Sequence, residues 1–326
     1  MGADDLGLRF SVQRLFAPSH FFAKHGILGL SAPPQEDLPA MKAPLRISED
    51  TLSLLTLGEP RQIRFGVDFP AQRIETRLTL ADVVLPASTR GQIEEIQTWI
   101  EHEKTLMQEW EMAAYLRPGF RCLFYGPPGT GKTITACVLG NATGREVYKV
   151  DLSLVMSKYI GETEKNLSRV FDYAEHRRWI LFFDEADALF GKRSQTRDAH
   201  DRYANQEVSF LLQRIESFDG IVILASNLRD NIDDAFARRF ESVIHFPIPR
   251  SEERARLWRL GVSSHARLAA DVDLDKLAEE HALPGGAIMN IVRYASLQAI
   301  KEGRAIRMED LRVGIRREYE KEGKGI

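Results

Sequence analysis

"GPPGTGKT", residues 126–133, decides the fold. It follows the apolar run "RCLFY" (121–125) and precedes a stretch of helical character. That is the pattern G-x-x-x-x-G-K-[ST] in its strand–loop–helix setting. Gly126, Gly129 and Gly131 allow a backbone path that turns several N–H groups toward one anion, and Pro127, Pro128 and Thr130 complete the loop. In such a loop Lys132 reaches the β- and γ-phosphates of a nucleotide, and the Thr133 hydroxyl ligates Mg²⁺. A merely flexible Gly/Pro turn is the alternative, and the flanking strand and helix argue against it.

Downstream, "WILFFDEADALF" (179–190) is an apolar strand ending in two carboxylates. Parallel sheets gather ligands at the C-terminal ends of their strands. Asp184 is therefore placed to hold Mg²⁺ through water, and Glu185 to act as the base toward an attacking water. By itself the pair also reads as a solvated acidic loop; beside a phosphate loop that reading is weak. Asn227 closes the strand "IVILAS" (221–226) and can orient the same water, or simply form a turn. Past it, Asp233 to Phe240 reads as a short helix ending in Arg238-Arg239. Taken alone, two arginines there merely complement the helix dipole.

Strands and helices alternate over about 130 residues from "RCLFY" to "IVILAS". The strands are nearly continuous apolar runs, as strands covered on both faces must be. The expected fold is α/β: a P-loop, doubly wound parallel sheet, with a small C-terminal helical lid and a short N-terminal module. The expected domains are 1–78, of unnamed fold; 79–249, the nucleotide-binding α/β domain; and 250–326, the lid. In the first zone "SAPPQEDLPAMKAP" (31–44) holds four prolines and reads as an extended connector, while "RISEDTLSLLTLGE" (46–59) reads as a short helix capped by Ser48. Further on, Ile93, Ile96 and Ile100 recur at helical spacing, and Thr89 with Gln92 fits a capping box.

The totals narrow the function. The 326 residues are 44% apolar and 28% charged, with a net charge of -3. That is the balance of an ordinary globular chain without global attraction to nucleic acid or anionic membranes. Two cysteines, Cys122 and Cys137, make no disulfide framework, so a cytoplasmic location is expected. The acidic start "MGADDLGLRF" is unlike a signal peptide, and no run nears the ~20 apolar residues of a membrane span.

Together these residues resemble the AAA ATPases, over roughly 80–300. "GPPGTGKT" corresponds to Walker A, "LFFDEAD" to Walker B and "ASN" to the sensor-1 strand end; "SKYIGETEKN" (157–166) and "LPGGAIMNIVRYAS" (283–296) add softer matches. The resemblance implies ATP and Mg²⁺ as cofactors and a homo-oligomeric ring, usually a hexamer. Each nucleotide would lie between neighbours, with an arginine finger donated in trans. Arg238 and Arg239 are adjacent where the family often separates two arginines by Pro-Gly, so either is a candidate finger. The resemblance also implies a peptide-gripping pore loop at Lys158, Tyr159, Ile160 and Gly161, although Tyr159 also reads as a buried turn residue. A second pore loop would fall in "GKRSQTRDAHDR" (191–202), equally readable as a solvated loop. Backbone around Asp82, Val83 and Val84 would meet adenine.

In the lid, Gly-Gly-Ala and Met289 stand where many relatives carry an arginine, as in protein-remodelling members of the family. Residues 200–240 look especially like bacterial AAA ATPases of phage-tail-like contractile injection systems. The leading expectation is therefore a ring that hydrolyses ATP to remodel, unfold or disassemble a protein partner. A nucleotide-gated assembly factor or scaffold for such an apparatus is the second. A nucleic-acid motor or loader is the third, disfavoured by the lack of a basic excess.

Overall fold

The computed structural model describes residues 6–17, 20–24, 27–30, 44–58, 65–66, 69–155, 162–187, 199–227, 237–262, 265, 267–321 and 323. The chain divides into two compact units, Met1–Phe65 and Gly66–Ile326. In the first unit α1 (Leu6–Arg14) and α2 (Phe21–Lys24) precede a two-stranded antiparallel ribbon, β1 (Leu28–Leu30) with β2 (Leu45–Ile47). Then comes α3 (Glu49–Leu57). Ser48 caps α3 as its sequence predicts: the hydroxyl accepts from the Thr51 N–H at 3.2 Å. Gly58 ends the helix in the left-handed region.

The second unit opens with β3 (Ala71–Ile74) and α4 (Ala87–Lys104). The α/β core follows: β4 (Phe120–Tyr125), α5 (Lys132–Thr143), β5 (Val147–Val150), α6 (Leu152–Val155), α7 (Glu162–Arg177), β6 (Ile180–Phe183), α8 (Ala199–Ser217), β7 (Ile221–Ser226) and β8 (Ser242–His245). Six strands form one sheet in the order β3-β5-β6-β7-β4-β8. It is parallel except for the antiparallel edge strand β3, whose Ala71–Ile74 pairs with Val150–Val147. The α/β P-loop fold expected from the sequence is thus present. Its edge begins earlier than the boundary at residue 78, because "AQRI" has two exposed positions and no long apolar run to mark it.

Strand alternation builds two cores. Phe120, Cys122 and Phe124 of β4 face α4 and α5, against Ile93, Ile96, Ile100, Val138 and Leu139. On the opposite side Phe171 of α7 meets Phe183 and Phe218. The expected capping box at α4 is not formed. The helix starts at Ala87 with Pro86 as its cap residue, so Thr89 already lies in the first turn, where its hydroxyl donates to the His245 carbonyl at 2.8 Å. Pro at the boundary supplies the extended φ, ψ that ends the preceding segment, and it moves the start two residues upstream of Thr89.

The C-terminal part is helical: α9 (Ser251–Gly261), α10 (Leu274–Glu280), α11 (Gly285–Lys301) and α12 (Met308–Lys321). They enclose a separate core around Trp258, Leu277, Ile288, Ile291, Leu311 and Ile315. Buried Arg254 ties it to the chain leaving the sheet, donating to the carbonyls of Pro249 (2.5 Å) and Ala278 (2.7 Å). Among the described residues no helix is long and apolar enough to cross a membrane.

Candidate nucleotide-binding site

β4 lies between β7 and β8, neither of which adjoins it in sequence. That crossover leaves a crevice at the carboxyl ends of the strands, where open α/β sheets bind ligands. Gly126 begins the loop at φ 144°, and a Cβ there would meet the Phe246 carbonyl oxygen at 2.1 Å. Only glycine lets the loop pass that backbone. Gly131 then turns into α5 at φ 101°, so the loop's last residues lie at a helix N-terminus.

Lys132 is the first residue of α5 and is buried. Its Nζ donates to the carbonyls of Gly126 (2.6 Å) and Pro127 (3.0 Å) and to Asn227 Oδ1 (3.0 Å). Burial pushes its pKa below the ordinary lysine value, and Asp184 and Asp187 partly oppose that. The lysine is thus folded onto its own loop, among acceptors that an incoming phosphate can replace.

The two carboxylates emerge as the sequence predicts, at the end of β6. The Ala186 N–H bonds the Ala225 carbonyl at 2.8 Å, fixing this corner to β7 and thereby to Asn227. Glu185 is exposed, with a left-handed φ of 52°, and its N–H donates to Asp184 Oδ1 at 3.0 Å. A non-glycine residue in that region is uncommon and clusters at working sites.

The cleft has a volume of about 760 Å³ and is lined by Lys132, Thr133, Asp184, Glu185 and Asn227 at its polar end. Asp82, Val83 and Val84 line the same cleft, as do Phe246, Pro249 and Leu257. Asp82 spends its carboxylate locally, accepting from the Thr79 N–H (2.8 Å) and hydroxyl (2.7 Å). Those bonds hold its pKa below the usual carboxylate value. The lid closes the end: the Gly286 N–H donates to the Gly129 carbonyl at 2.9 Å. A Cβ on Gly286 would stand 3.1 Å from Gly129 Cα, so the Gly-Gly pair permits this approach. Met289, where a lid arginine would stand, also lines the cleft.

Arg238 and Arg239 follow Ala237 as exposed residues before β8. They differ in partners: the Arg239 guanidinium pairs with Glu216 of α8. Lys158, Tyr159, Ile160 and Gly161 lie outside the described residues, as do 191–198 of the second expected pore loop.

Three residues escaped the motif reading. Arg90 pins the stretch 80–83, donating to the carbonyls of Leu80 (3.2 Å) and Val83 (2.9 Å). Asp187 accepts from the Ser226 hydroxyl and from the Asn227 N–H (3.2 Å), so it sets where Asn227 stands. Lys149 pairs with Asp184 at 2.7 Å. Asp187 was visible as the last letter of "DEAD"; the other two had no signal, because Arg90 bonds backbone carbonyls, which no residue type marks, and Lys149 meets Asp184 only through strand register.

The donors available for Mg²⁺ are hard oxygens, the Thr133 hydroxyl and the Asp184 carboxylate, and the latter already draws one cationic side chain, Lys149. Magnesium is typically held by one or two carboxylates plus phosphate oxygens, so the set fits.

Comparison with known proteins agrees with this geometry. Residues 122–248 match the model of the family "ATPase family associated with various cellular activities (AAA)". The chain is 32% identical over 199 residues to the 26S proteasome regulatory subunit 10B homolog A of Arabidopsis thaliana, covering 58% of this chain and 49% of that protein. It is 34% identical over 208 residues to cell division protein C of Sulfolobus acidocaldarius, covering 58% of this chain and 55% of that protein. The alignments thus span about half the length of these curated relatives. The residues matched by the family model lie within the second unit.

Proposed function

We propose that this chain is an ATP-hydrolysing AAA protein that works as a homo-oligomeric ring, a hexamer, in the cytoplasm and uses the hydrolysis to remodel a protein partner. The observation that carries the reading is the convergence of Lys132, Asp184, Glu185 and Asn227 on the polar end of one cleft. In use, Lys132 exchanges its loop carbonyls for the β- and γ-phosphates of ATP. Thr133 and Asp184 would hold Mg²⁺, which would supply positive charge to neutralise the phosphates. Glu185 accepts the proton of the attacking water, and Asn227, oriented by Asp187, positions that water. The valines of the Asp82–Val84 segment and the lid's Leu257 and Met289 form the apolar wall for the base.

The finger is Arg238 in this account, and Arg239 is its anchor. Arg239 is engaged with Glu216 of its own subunit, whereas Arg238 extends from the same exposed turn. A guanidinium delivered to a neighbour's γ-phosphate accelerates transfer by roughly 10³–10⁵ where measured. Support for a protein partner comes from the Tyr159-Ile160-Gly161 sequence and from the relative named as a proteasome regulatory subunit. The narrower assignment to a contractile injection apparatus is supported by the wording of residues 200–240.

A mixing experiment tests the ring. Turnover per subunit rises with protein concentration, Arg238→Ala subunits bind ATP without hydrolysing it, and mixing them with Lys132→Ala subunits restores part of the activity. Concentration-independent turnover, or no recovery on mixing, contradicts a finger acting in trans.

A further inference from the structure

Lys149 carries the strongest observation that the nucleotide reading leaves unused. It stands on β5, and the parallel register with β6 sets it opposite Phe182, two residues before Asp184. From there Nζ reaches Asp184 Oδ2 at 2.7 Å, with the two side chains 41% and 23% exposed. The cation paired with the metal-side carboxylate is therefore Lys149, while Lys132 is occupied by Gly126, Pro127 and Asn227.

A carboxylate so paired gives up an ion pair when it takes a divalent ion, and an ammonium left beside it repels that ion. Lys149 has somewhere else to go. Asp151, two positions along the same chain, shares its side of the extended backbone. Its carboxylate accepts from the Ser153 hydroxyl at 2.5 Å and from the Ser153 N–H at 2.9 Å. Those bonds, with the charge of Lys149 adding to them, hold its pKa below the ordinary carboxylate value, so it is an anion at neutral pH.

We propose that Lys149 is the resident cation of Asp184 in the nucleotide-free protein, and that it yields that carboxylate to Mg²⁺ when the nucleotide complex binds, turning toward Asp151. The inference rests on the ATPase reading of the site. Its consequence is thermodynamic: Lys149 lowers the advantage that Mg²⁺ gives to nucleotide binding. It also makes the end of β5, which leads through Asp151 into α6, respond to whether the metal site is filled.

The test is calorimetric titration of ADP into the full chain, in Mg²⁺ and in EDTA, for the wild type, Lys149→Met and Lys149→Arg. The quantity read is the ratio of the two affinities. Lys149→Met raises that ratio about tenfold, a 1.4 kcal/mol effect, by tighter binding in Mg²⁺ and equal or weaker binding in EDTA. Lys149→Arg keeps the wild-type ratio. Lys149→Gln serves where thermal melting shows that the Met variant does not fold. An unchanged or smaller ratio in the neutral variant overturns the role of Lys149 and leaves the ATPase reading standing. A wild type that binds ADP in neither buffer overturns both.

Discussion

Arg121, buried in the strand that leads into the phosphate loop, grips Glu241, three residues after Arg238. The guanidinium meets the carboxylate at 2.6 Å through Nη2, and the Arg121 N–H adds a bond of 2.7 Å. The remaining Nη1 bonds the Glu216 carbonyl at 3.1 Å, and the Glu216 side chain pairs with Arg239. One strand thus bears the nucleotide loop at its end and the anchor of the arginine turn along its length. In the proposed ring, that chain of contacts would join the loop of residues 126–133 to the arginine turn of the same subunit.

Removing that anchor should be expensive. Arg121→Ala removes a side chain only 3% exposed and its bonds to the water-accessible Glu241 carboxylate, and is expected to cost about 1.5–3 kcal/mol. Glu241→Gln keeps the shape and some of the hydrogen bonds, so it should lose less. Denaturant unfolding of the two variants checks the order. Equal and negligible losses would show that the pair is not a structural anchor.

Asp187 is expected to act on rate rather than on affinity. Its carboxylate accepts from the Ser226 hydroxyl and the Asn227 N–H, and acts on Lys132 through its charge. Asp187→Ala removes both of these bonds to a charged group, worth ~1.5–3 kcal/mol each in stability. The predicted result is a kcat lower by about ten- to a hundredfold, with KM for ATP within about threefold of wild type. A rise in KM at unchanged kcat would assign Asp187 to ground-state binding instead.

Acid should act on the lid through Asp310. Hydrogen bonds from Arg304 hold its pKa below the ordinary carboxylate value, with distances of 2.5 and 2.8 Å. A depressed folded-state pKa contributes stability that is complete above the unfolded value near 3.8 and fades as pH falls through the folded one. Melting temperature should therefore be insensitive to this pair at neutral pH and drop below about pH 4, partly on its account. Asp310→Asn should melt lower at neutral pH and lose part of that acid dependence. Parallel acid profiles for both proteins would remove Asp310 from the account.

How much could be read in advance follows the physics of each signal. β4, β6 and β7 are short runs buried on both faces, so composition alone marks them. The phosphate loop was legible because its chemistry demands fixed residue types at fixed spacing. The edge strand β3 and the start of α4 were not, since each depends on what it packs against: Gln72 and Arg73 are exposed, and Thr89 finds a carbonyl 156 residues away. Lys149 belongs to the same class. Its neighbour Asp184 lies 35 positions on in the chain and reaches it only through the pairing of β5 with β6.

Glu185 is the residue on which the ATPase reading turns. Its left-handed backbone and exposed carboxylate are set at the cleft that Lys132 and Asn227 also line. The decisive measurement is ATP binding and steady-state turnover, side by side, for the wild type and Glu185→Gln at a protein concentration where the wild type is active. An amide keeps the size and loses the base, so binding should be retained while turnover falls by about 10²–10⁴. Full turnover by Glu185→Gln would contradict the assigned chemistry, and with it the claim that this cleft is where ATP is hydrolysed.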